Sequence, residues 1–150
     1  MVYLGYLASN NPYARIFEVS TVNGTDPVEF TPPEGVLAPT DLKYIGRSND
    51  IILQAYVPSA TETSQELLVI RSGSRSVLTH LATERKFHYI GDSSADSGAS
   101  TIGFAGSASP DEDLSAYLVD LHLPERSFQL RADRRPGETV AGVFILGQPH

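Results

Sequence analysis

Short apolar runs separated by turn-forming residues recur along the chain in a fixed order. Four kinds of run follow one another, and the same four return at intervals of about 50 residues. The runs lie at 5–9, 15–19, 27–30 and 43–46, at 55–59, 66–70, 76–79 and 88–91, and at 103–107, 116–120, 127–130 and 144–147. Self-similarity at such a period is typical of repeat architectures. The pattern predicts three units, approximately 1-46, 47-91 and 92-150.

The runs have the composition of β-strands. They are enriched in tyrosine, phenylalanine, valine and isoleucine, and turn-forming residues separate them. Asn23 and Gly24 predict a tight two-residue turn between the second and third runs, because both central residues of such a turn take positive φ. Turns are also expected at 72–74 and 122–125. The sequence thus predicts an all-β domain of three four-stranded repeats, each about 48 residues long.

The first run of each unit carries an aromatic residue, which is Tyr6, Tyr56 or Phe104. These three residues occupy the same place in the repeat, so they are expected to be equivalent core positions. Truncation of either Tyr56 or Phe104 to alanine should then lower the free energy of unfolding by about 3–5 kcal/mol.

Residues 109–123 also fit a helix. The stretch Ser109-Pro110-Asp111-Glu112 matches a helix start, and the leucines at 114, 118 and 121 fall at helical spacing. The corresponding segments of the other two units carry no such start, so the repeat favours a strand. On the sequence alone, both structures stay open.

The third unit resembles a blade of a β-propeller. Residues 102–107, 116–121 and 127–130 are similar to the second, third and fourth strands of WD-type and Tol-type blades. Residues 50–91 resemble the same blade, with Leu78-Thr79 where such repeats often carry this pair. The Ser109-Pro110-Asp111 turn lies one connection later than in those families, and the Trp-Asp pair is absent.

This resemblance implies three propeller blades, with the chain beginning on the second strand of a blade and ending, at 140–147, on a first strand. Propellers typically have about four to eight blades, so three blades would leave an apolar face at each end. Two chains would complete a six-bladed ring, and the resemblance therefore favours a homodimer. A β-trefoil, which closes as a monomer, is the competing repeat fold, and a sandwich or a mixed α+β fold is a further alternative.

The composition narrows the class of function. The chain has 150 residues, enough for one domain, and it lacks cysteine, which excludes disulfides, thiolate metal ligands and thiol nucleophiles. A formal net charge of -7 disfavours binding to nucleic acid or to an anionic membrane. No apolar run approaches the roughly 20 residues of a membrane span, and the first residues lack the order of a signal peptide. We therefore expect a soluble protein, intracellular or associated with a particle.

Common catalytic and ligand-binding patterns are missing from the sequence. It contains no Gly-x-Ser-x-Gly pentad and no glycine-rich phosphate loop, and its four histidines form no ligand motif. The acidic groups at 92–96 and 111–113 do not match a calcium-binding loop, although the sequence leaves calcium binding open. We expect a protein that is not an enzyme, with no catalytic residue, no cofactor and no metal site.

Two kinds of side chain are candidates for partner binding. The four arginines between positions 126 and 135 make the only basic concentration in the chain, and a planar guanidinium binds carboxylates bidentately. The tyrosines combine an apolar body with a polar tip, which favours interfaces. The candidate residues are Tyr3, Tyr13, Arg126, Arg131, Arg134 and Arg135.

These observations predict a non-enzymatic protein-interaction or structural assembly module that forms homo-oligomers and can belong to a larger particle. Its partners would be a protein or a second copy of itself, with a dimer favoured, without nucleic acid and without membrane insertion. A carbohydrate-binding, lectin-like module is the alternative. It would need one similar pocket in each unit, with tyrosine in place of the absent tryptophan.

Overall fold

The computed structural model describes most of the chain as a series of separate stretches. The described residues are 2–5, 15–20, 22–24, 26–30, 38–45, 48–58, 63–71, 78–96, 98, 100–130, 135, 138, 140 and 142–145. They form eleven β-strands and no helix, which confirms the all-β prediction for this part of the chain. A helix able to span a membrane is accordingly not found among these residues.

The strands form three antiparallel sheets, each built from consecutive strands. Sheet A contains β1 (Val2–Gly5), β2 (Arg15–Glu18) and β3 (Val28–Phe30). Sheet B contains β4 (Ala38–Ile45), β5 (Asp50–Pro58), β6 (Thr63–Ile70) and β7 (Leu78–Leu81). Sheet C contains β8 (Tyr89–Ala95), β9 (Thr101–Ser107), β10 (Ser115–Asp120) and β11 (Phe128–Leu130). The fourth run of each of the first two units therefore lies in the first strand of the following sheet.

The hairpin between β2 and β3 forms as predicted, but its turn differs. Glu18 pairs with Val28, so the connection is much longer than two residues. Within it, Asn23 N–H donates to the Ser20 hydroxyl at 3.4 Å, and Gly24 takes a positive φ of 57° while Asn23 does not. The prediction of a tight Asn23-Gly24 turn is wrong, because this local turn sits inside a longer loop and strand pairing ends before it.

Residues 109–123 contain a single turn followed by a strand. Glu112 N–H donates to the Ser109 carbonyl at 3.3 Å, and the Glu112 carboxylate accepts Ala108 N–H at 3.3 Å, which closes one turn. The turn does not continue as a helix, because strand β10 follows, with Tyr117 opposite Phe104 of β9. The strand favoured by the repeat is the observed structure.

Sheet B is the central layer and buries apolar side chains on both faces. Successive strand residues point to opposite faces, so the continuous apolar runs 51–53 and 67–70 supply both. The cluster shared with sheet C consists of Ile45, Ile52, Leu67, Val69, Leu81, Ala82, Phe87, Ile90, Ile102, Phe104, Tyr117, Val119 and Leu121. The cluster shared with sheet A consists of Ile16, Ile51, Leu53, Ala55, Leu68 and Ile70.

The far face of sheet C, which points away from sheet B, carries a later segment of the chain, 142–145. The Ser94 hydroxyl donates to the Val143 carbonyl at 2.7 Å and accepts Ile145 N–H at 2.9 Å. Gly103 makes the close approach possible, because a Cβ at this position would lie 2.6 Å from Val143 Cγ1. This segment covers the part of the face formed by β8 and β9.

The aromatic residues of the first runs are not equivalent in the structure. Phe104 lies in the middle of β9, opposite Ser93 and Tyr117, and is fully buried. Tyr56 lies near the end of β5 and is 36% exposed. The prediction of equivalent core positions is therefore wrong for Tyr56, because more than a third of its surface stays in contact with solvent while Phe104 is fully enclosed. Tyr6 lies outside the described residues.

Asp96 closes the connection between β8 and β9. Its carboxylate accepts the N–H groups of Ser100 and Thr101 at 2.7 Å each, Gly98 N–H at 3.2 Å and the Ser100 hydroxyl at 3.0 Å. Burial acts to raise the pKa of this carboxyl, but the donors from Thr101, Ser100 and Gly98 outweigh it and lower the pKa below its ordinary value. The ionised form of Asp96 is therefore the one that stabilises the hairpin.

Replacement of Asp96 by alanine is expected to lower the free energy of unfolding by about 1–2 kcal/mol at neutral pH. The carboxyl has a lower pKa when folded, so its contribution is complete above the unfolded pKa and is lost as pH falls through the folded value. Urea denaturation from neutral to acidic pH should show the two proteins converging in acid. A difference that stays constant with pH would contradict this account. Asp111→Ala, at an exposed turn, is the control.

Phe104→Ala is expected to cost about 3–5 kcal/mol, because it leaves a cavity among fully packed side chains. Tyr56→Ala should cost no more than about 1 kcal/mol, because its side chain is partly solvated. Denaturant titration of both variants tests the contrast. Equal losses of stability in the two variants would show that Tyr56 is packed as tightly as Phe104, against this account.

Candidate functional site

The connection 82–88 joins sheet B to sheet C and contributes residues to the lining of two cavities. It begins at Ala82, which takes an unusual positive φ of 53° for a residue with a side chain. Ala82 N–H donates to the Pro124 carbonyl at 2.7 Å, and Glu84 N–H donates to the Glu125 carbonyl at 3.1 Å. These bonds hold the connection along the turn that follows β10.

A buried aromatic cluster supports the connection from below. The ring of Phe87 meets those of Phe104 and Tyr117 edge-on, with centroids 5.1 Å apart in both cases. Phe104 and Tyr117 stack at 5.4 Å. Gly106 is required beside this cluster, because a Cβ there would lie 2.7 Å from Phe87 Cδ1. The cluster gives the cavities a rigid apolar base.

Arg85 lies on this aromatic base with its charge exposed. Its guanidinium carbon is 5.4 Å from the centre of the Tyr117 ring, a distance at which the ring face attracts a cation. Within the described part of the chain, no carboxylate lies at ion-pair distance from this guanidinium. A guanidinium carries several N–H donors, so this contact leaves donors available to bind an acceptor.

Arg85 borders both cavities. The Tyr117 cavity, about 310 Å³, is lined by Arg85, Gly106, Glu112, Asp113, Ser115, Tyr117 and Gln129. The Lys86 cavity, about 280 Å³, is lined by Ser64, Gln65, Glu66, Leu81, Thr83, Arg85, Lys86 and Phe87. The two cavities differ in charge, because two acidic residues line the first and a second cation lines the other. In the Lys86 cavity, Glu66 Oε2 lies at hydrogen-bond distance, 2.8 Å, from His80 Nδ1.

Two buried glutamines of sheet B hold the backbone of β8 beside the Lys86 cavity. Gln65 Oε1 accepts Ile90 N–H at 2.5 Å, and Gln54 Nε2 donates to the Gly91 carbonyl at 2.8 Å. Strand β8 has an irregular register with β9 between Ile90 and Ser93. The glutamines therefore satisfy backbone groups at an irregularity that strand pairing alone does not cover.

The chemistry offered by this region is binding through charge and hydrogen bonds. Among the described residues, no group of three or more histidine, aspartate or glutamate side chains is placed to hold a metal ion. The cavities combine guanidinium, ammonium, hydroxyl and amide groups with an aromatic base. We therefore treat them as a candidate binding site.

The predicted partner-binding residues are only partly described. Tyr13, Arg131 and Arg134 lie outside the described residues. Tyr3 lies in β1, opposite Phe17 of β2. Arg135 is exposed.

Arg126, also exposed, lies in a loop that is bonded to the connection 82–88. The adjacent Ser127 N–H donates to the Glu84 carboxylate at 2.8 Å, which brings this loop beside the connection that carries Arg85. Partner binding by the predicted residues stays a prediction.

Sequence reasoning missed Arg85, Lys86 and Gln65. The adjacent pair Arg85-Lys86 was an available signal, since the acidic chain has only 11 lysines and arginines. Nothing in the sequence placed Tyr117 beneath Arg85, because Arg85 lies in the connection between sheets B and C while Tyr117 lies in strand β10. The carbohydrate-binding alternative also stays a prediction.

Comparison with known proteins gave no match. No family model, no curated protein and no solved structure is significantly similar to the chain.

Gln65→Leu is expected to lower the free energy of unfolding by about 1–3 kcal/mol, because leucine leaves the Ile90 N–H without its acceptor in a buried place. Gln129→Leu, at an exposed strand position, should change it by less than about 0.5 kcal/mol. Urea denaturation measures both. Equal stability of Gln65→Leu and the parent would mean that Gln65 does not anchor β8.

Proposed function

We propose that the protein is a non-enzymatic assembly module that associates with a second copy of itself through the far face of sheet C. The observation that carries the proposal is the unequal covering of this face. Segment 142–145 covers the part of the face that β8 and β9 form. On β11, in contrast, Phe128 is 54% and Leu130 39% exposed.

The exposed residues belong to one apolar surface. Phe128 pairs with Leu118, and Leu130 pairs with Ala116, so all four share a face of the sheet. This face is opposite to that of Tyr117, which packs toward sheet B. Contiguous exposed apolar side chains are typical of protein-protein contacts. We name Ala116, Leu118, Phe128 and Leu130 the outer patch.

The succession of the sheets supports a second copy as the occupant. Sheet B packs one face on sheet A and the other on sheet C, so each layer covers the next. The far face of sheet C is the place where a further sheet would continue the stack. A second copy can supply that sheet, because it carries the same layers.

Sheet A of the second copy would be the layer in contact. Ile16 packs toward sheet B, so its neighbour Phe17 lies on the opposite face of sheet A. Tyr3, one of the predicted partner-binding residues, lies opposite Phe17 in register. Contact between this face of one chain and the outer patch of the other would join the two stacks of sheets end to end. Two such contacts, related by two-fold symmetry, would close the dimer into a ring.

The proposed architecture is a six-bladed β-propeller assembled from two chains. Consecutive antiparallel meanders that pack face to face, two of them four-stranded and one with three described strands, support blades. Their open form favours blades over the barrel of a trefoil. The pair Leu53–Leu68, which faces sheet A, would correspond to the pair Phe104–Tyr117, which faces sheet B. Segment 142–145 would then begin the next blade.

Light scattering on a sizing column, over a range of concentrations, tests the self-association. The parent protein is expected at twice the mass of one chain. The double variant Phe128→Ser and Leu130→Ser should be a monomer with an unchanged far-UV circular dichroism spectrum. Leu123→Ser, which removes a similarly exposed leucine from a turn of the same sheet, should remain a dimer. A parent protein that is a monomer at every concentration would refute the proposal.

A further inference from the structure

We propose that the Lys86 cavity binds a carboxylate that carries a neighbouring apolar group, with Arg85 as the main recognition residue. The shared chemistry fits the free C-terminus of a peptide or a small organic acid. This site uses the connection 82–88 and does not depend on the proposed self-association.

The geometry prepares Arg85 for a planar acceptor. Its guanidinium is held over Tyr117, and Tyr117 is itself fixed by stacking on Phe104. No carboxylate from the described residues occupies it. A carboxylate matches the two parallel N–H groups at the edge of a guanidinium, so a ligand of this kind replaces the missing ion pair.

The remaining lining of the cavity favours the same ligand. Lys86 adds a second positive charge, and Ser64 and Thr83 contribute hydroxyl groups to its lining. Leu81 and Phe87 are buried residues on its apolar side, 5% and 3% exposed. A volume of about 280 Å³ suits one amino-acid-sized group. The carboxylate would therefore meet the cations while its apolar neighbour contacts Leu81 and Phe87.

The surrounding charge distinguishes a carboxylate from a phosphate. Glu66 lines the cavity itself, and Glu112 and Asp113 line the adjoining one across Arg85. The chain as a whole carries a formal net charge of -7. These carboxylates oppose the attraction exerted by Arg85 and Lys86, and the repulsion they exert on a ligand grows with its negative charge. We therefore expect preference for a singly charged carboxylate.

Titrations of the full chain, followed by the backbone amide resonances of residues 83–88, test the proposal. The probes are N-acetyl-leucine, its uncharged amide, a short peptide ending in leucine with a free or an amidated C-terminus, and inorganic phosphate. We expect saturable shifts with N-acetyl-leucine or with the free peptide, and none with the amides. A stronger response to the peptide would identify a protein terminus as the source of the carboxylate, and a stronger response to N-acetyl-leucine a small acid.

Two variants link binding to the guanidinium. Arg85→Gln is expected to weaken binding by roughly tenfold or more, because a charge-assisted hydrogen bond is lost. Val22→Glu lowers the net charge by the same one unit at a strongly exposed turn residue that lines neither cavity, and it should leave binding unchanged. Arg85→Lys keeps the charge without the planar fork and should bind at an intermediate strength, which provides a test if Arg85→Gln does not fold.

Several outcomes would overturn the assignment. These are equal binding of the acids and their amides, tighter binding of phosphate than of any carboxylate, or no saturable response to any carboxylate up to about 10 mM. Equal weakening in Arg85→Gln and Val22→Glu would show a general charge effect instead of a site. Because the column experiment measures mass and this one measures ligand shifts, either proposal can fail alone.

Discussion

Sheet B packs on both of its faces, and the positions of the other layers follow from that double burial. Leu53 and Leu68 point toward sheet A, while Leu67 and Val69 point toward sheet C. Burial of this kind is non-directional and roughly proportional to the apolar area removed from water. It brings three meanders of consecutive strands into one stack, but by itself it does not determine how far one sheet is shifted against the next.

Polar side chains supply that missing alignment. In β4, Tyr44 donates to the Glu18 carboxylate of sheet A at 2.9 Å, and the neighbouring Lys43 donates to the Ser93 carbonyl of sheet C at 2.6 Å. Gln54 and Gln65 bond the backbone of β8 in the same way. These bonds are directional, and leaving a buried one unmade is costly. Apolar contact thus brings the layers together, and hydrogen bonds set their alignment.

The sequence was informative about strand positions, which depend on neighbouring residues, and less informative about the burial of single side chains, which depends on the packing of the sheets. Strand positions such as 67–70 could be predicted, because continuous apolar runs between turn residues indicate strands buried on both faces. The exposure of Tyr56 could not be predicted, since it depends on the packing around the end of β5, which the repeat pattern does not reveal. The candidate site was equally hidden, because Arg85, Tyr117 and Gln65 meet only when two sheets pack.

The attachment of β8 by glutamine side chains also constrains insertions and deletions. The first residue of the connection 82–88 is hydrogen-bonded to the turn after β10. Just beyond its last residue, Gln65 and Gln54 form hydrogen bonds with the backbone of β8. One residue added or removed between these points would shift Ile90 and Gly91 away from their partners and turn alternate side chains of β8 to the wrong face. Natural variation in this connection should therefore be found in the identity of its exposed residues, at constant length.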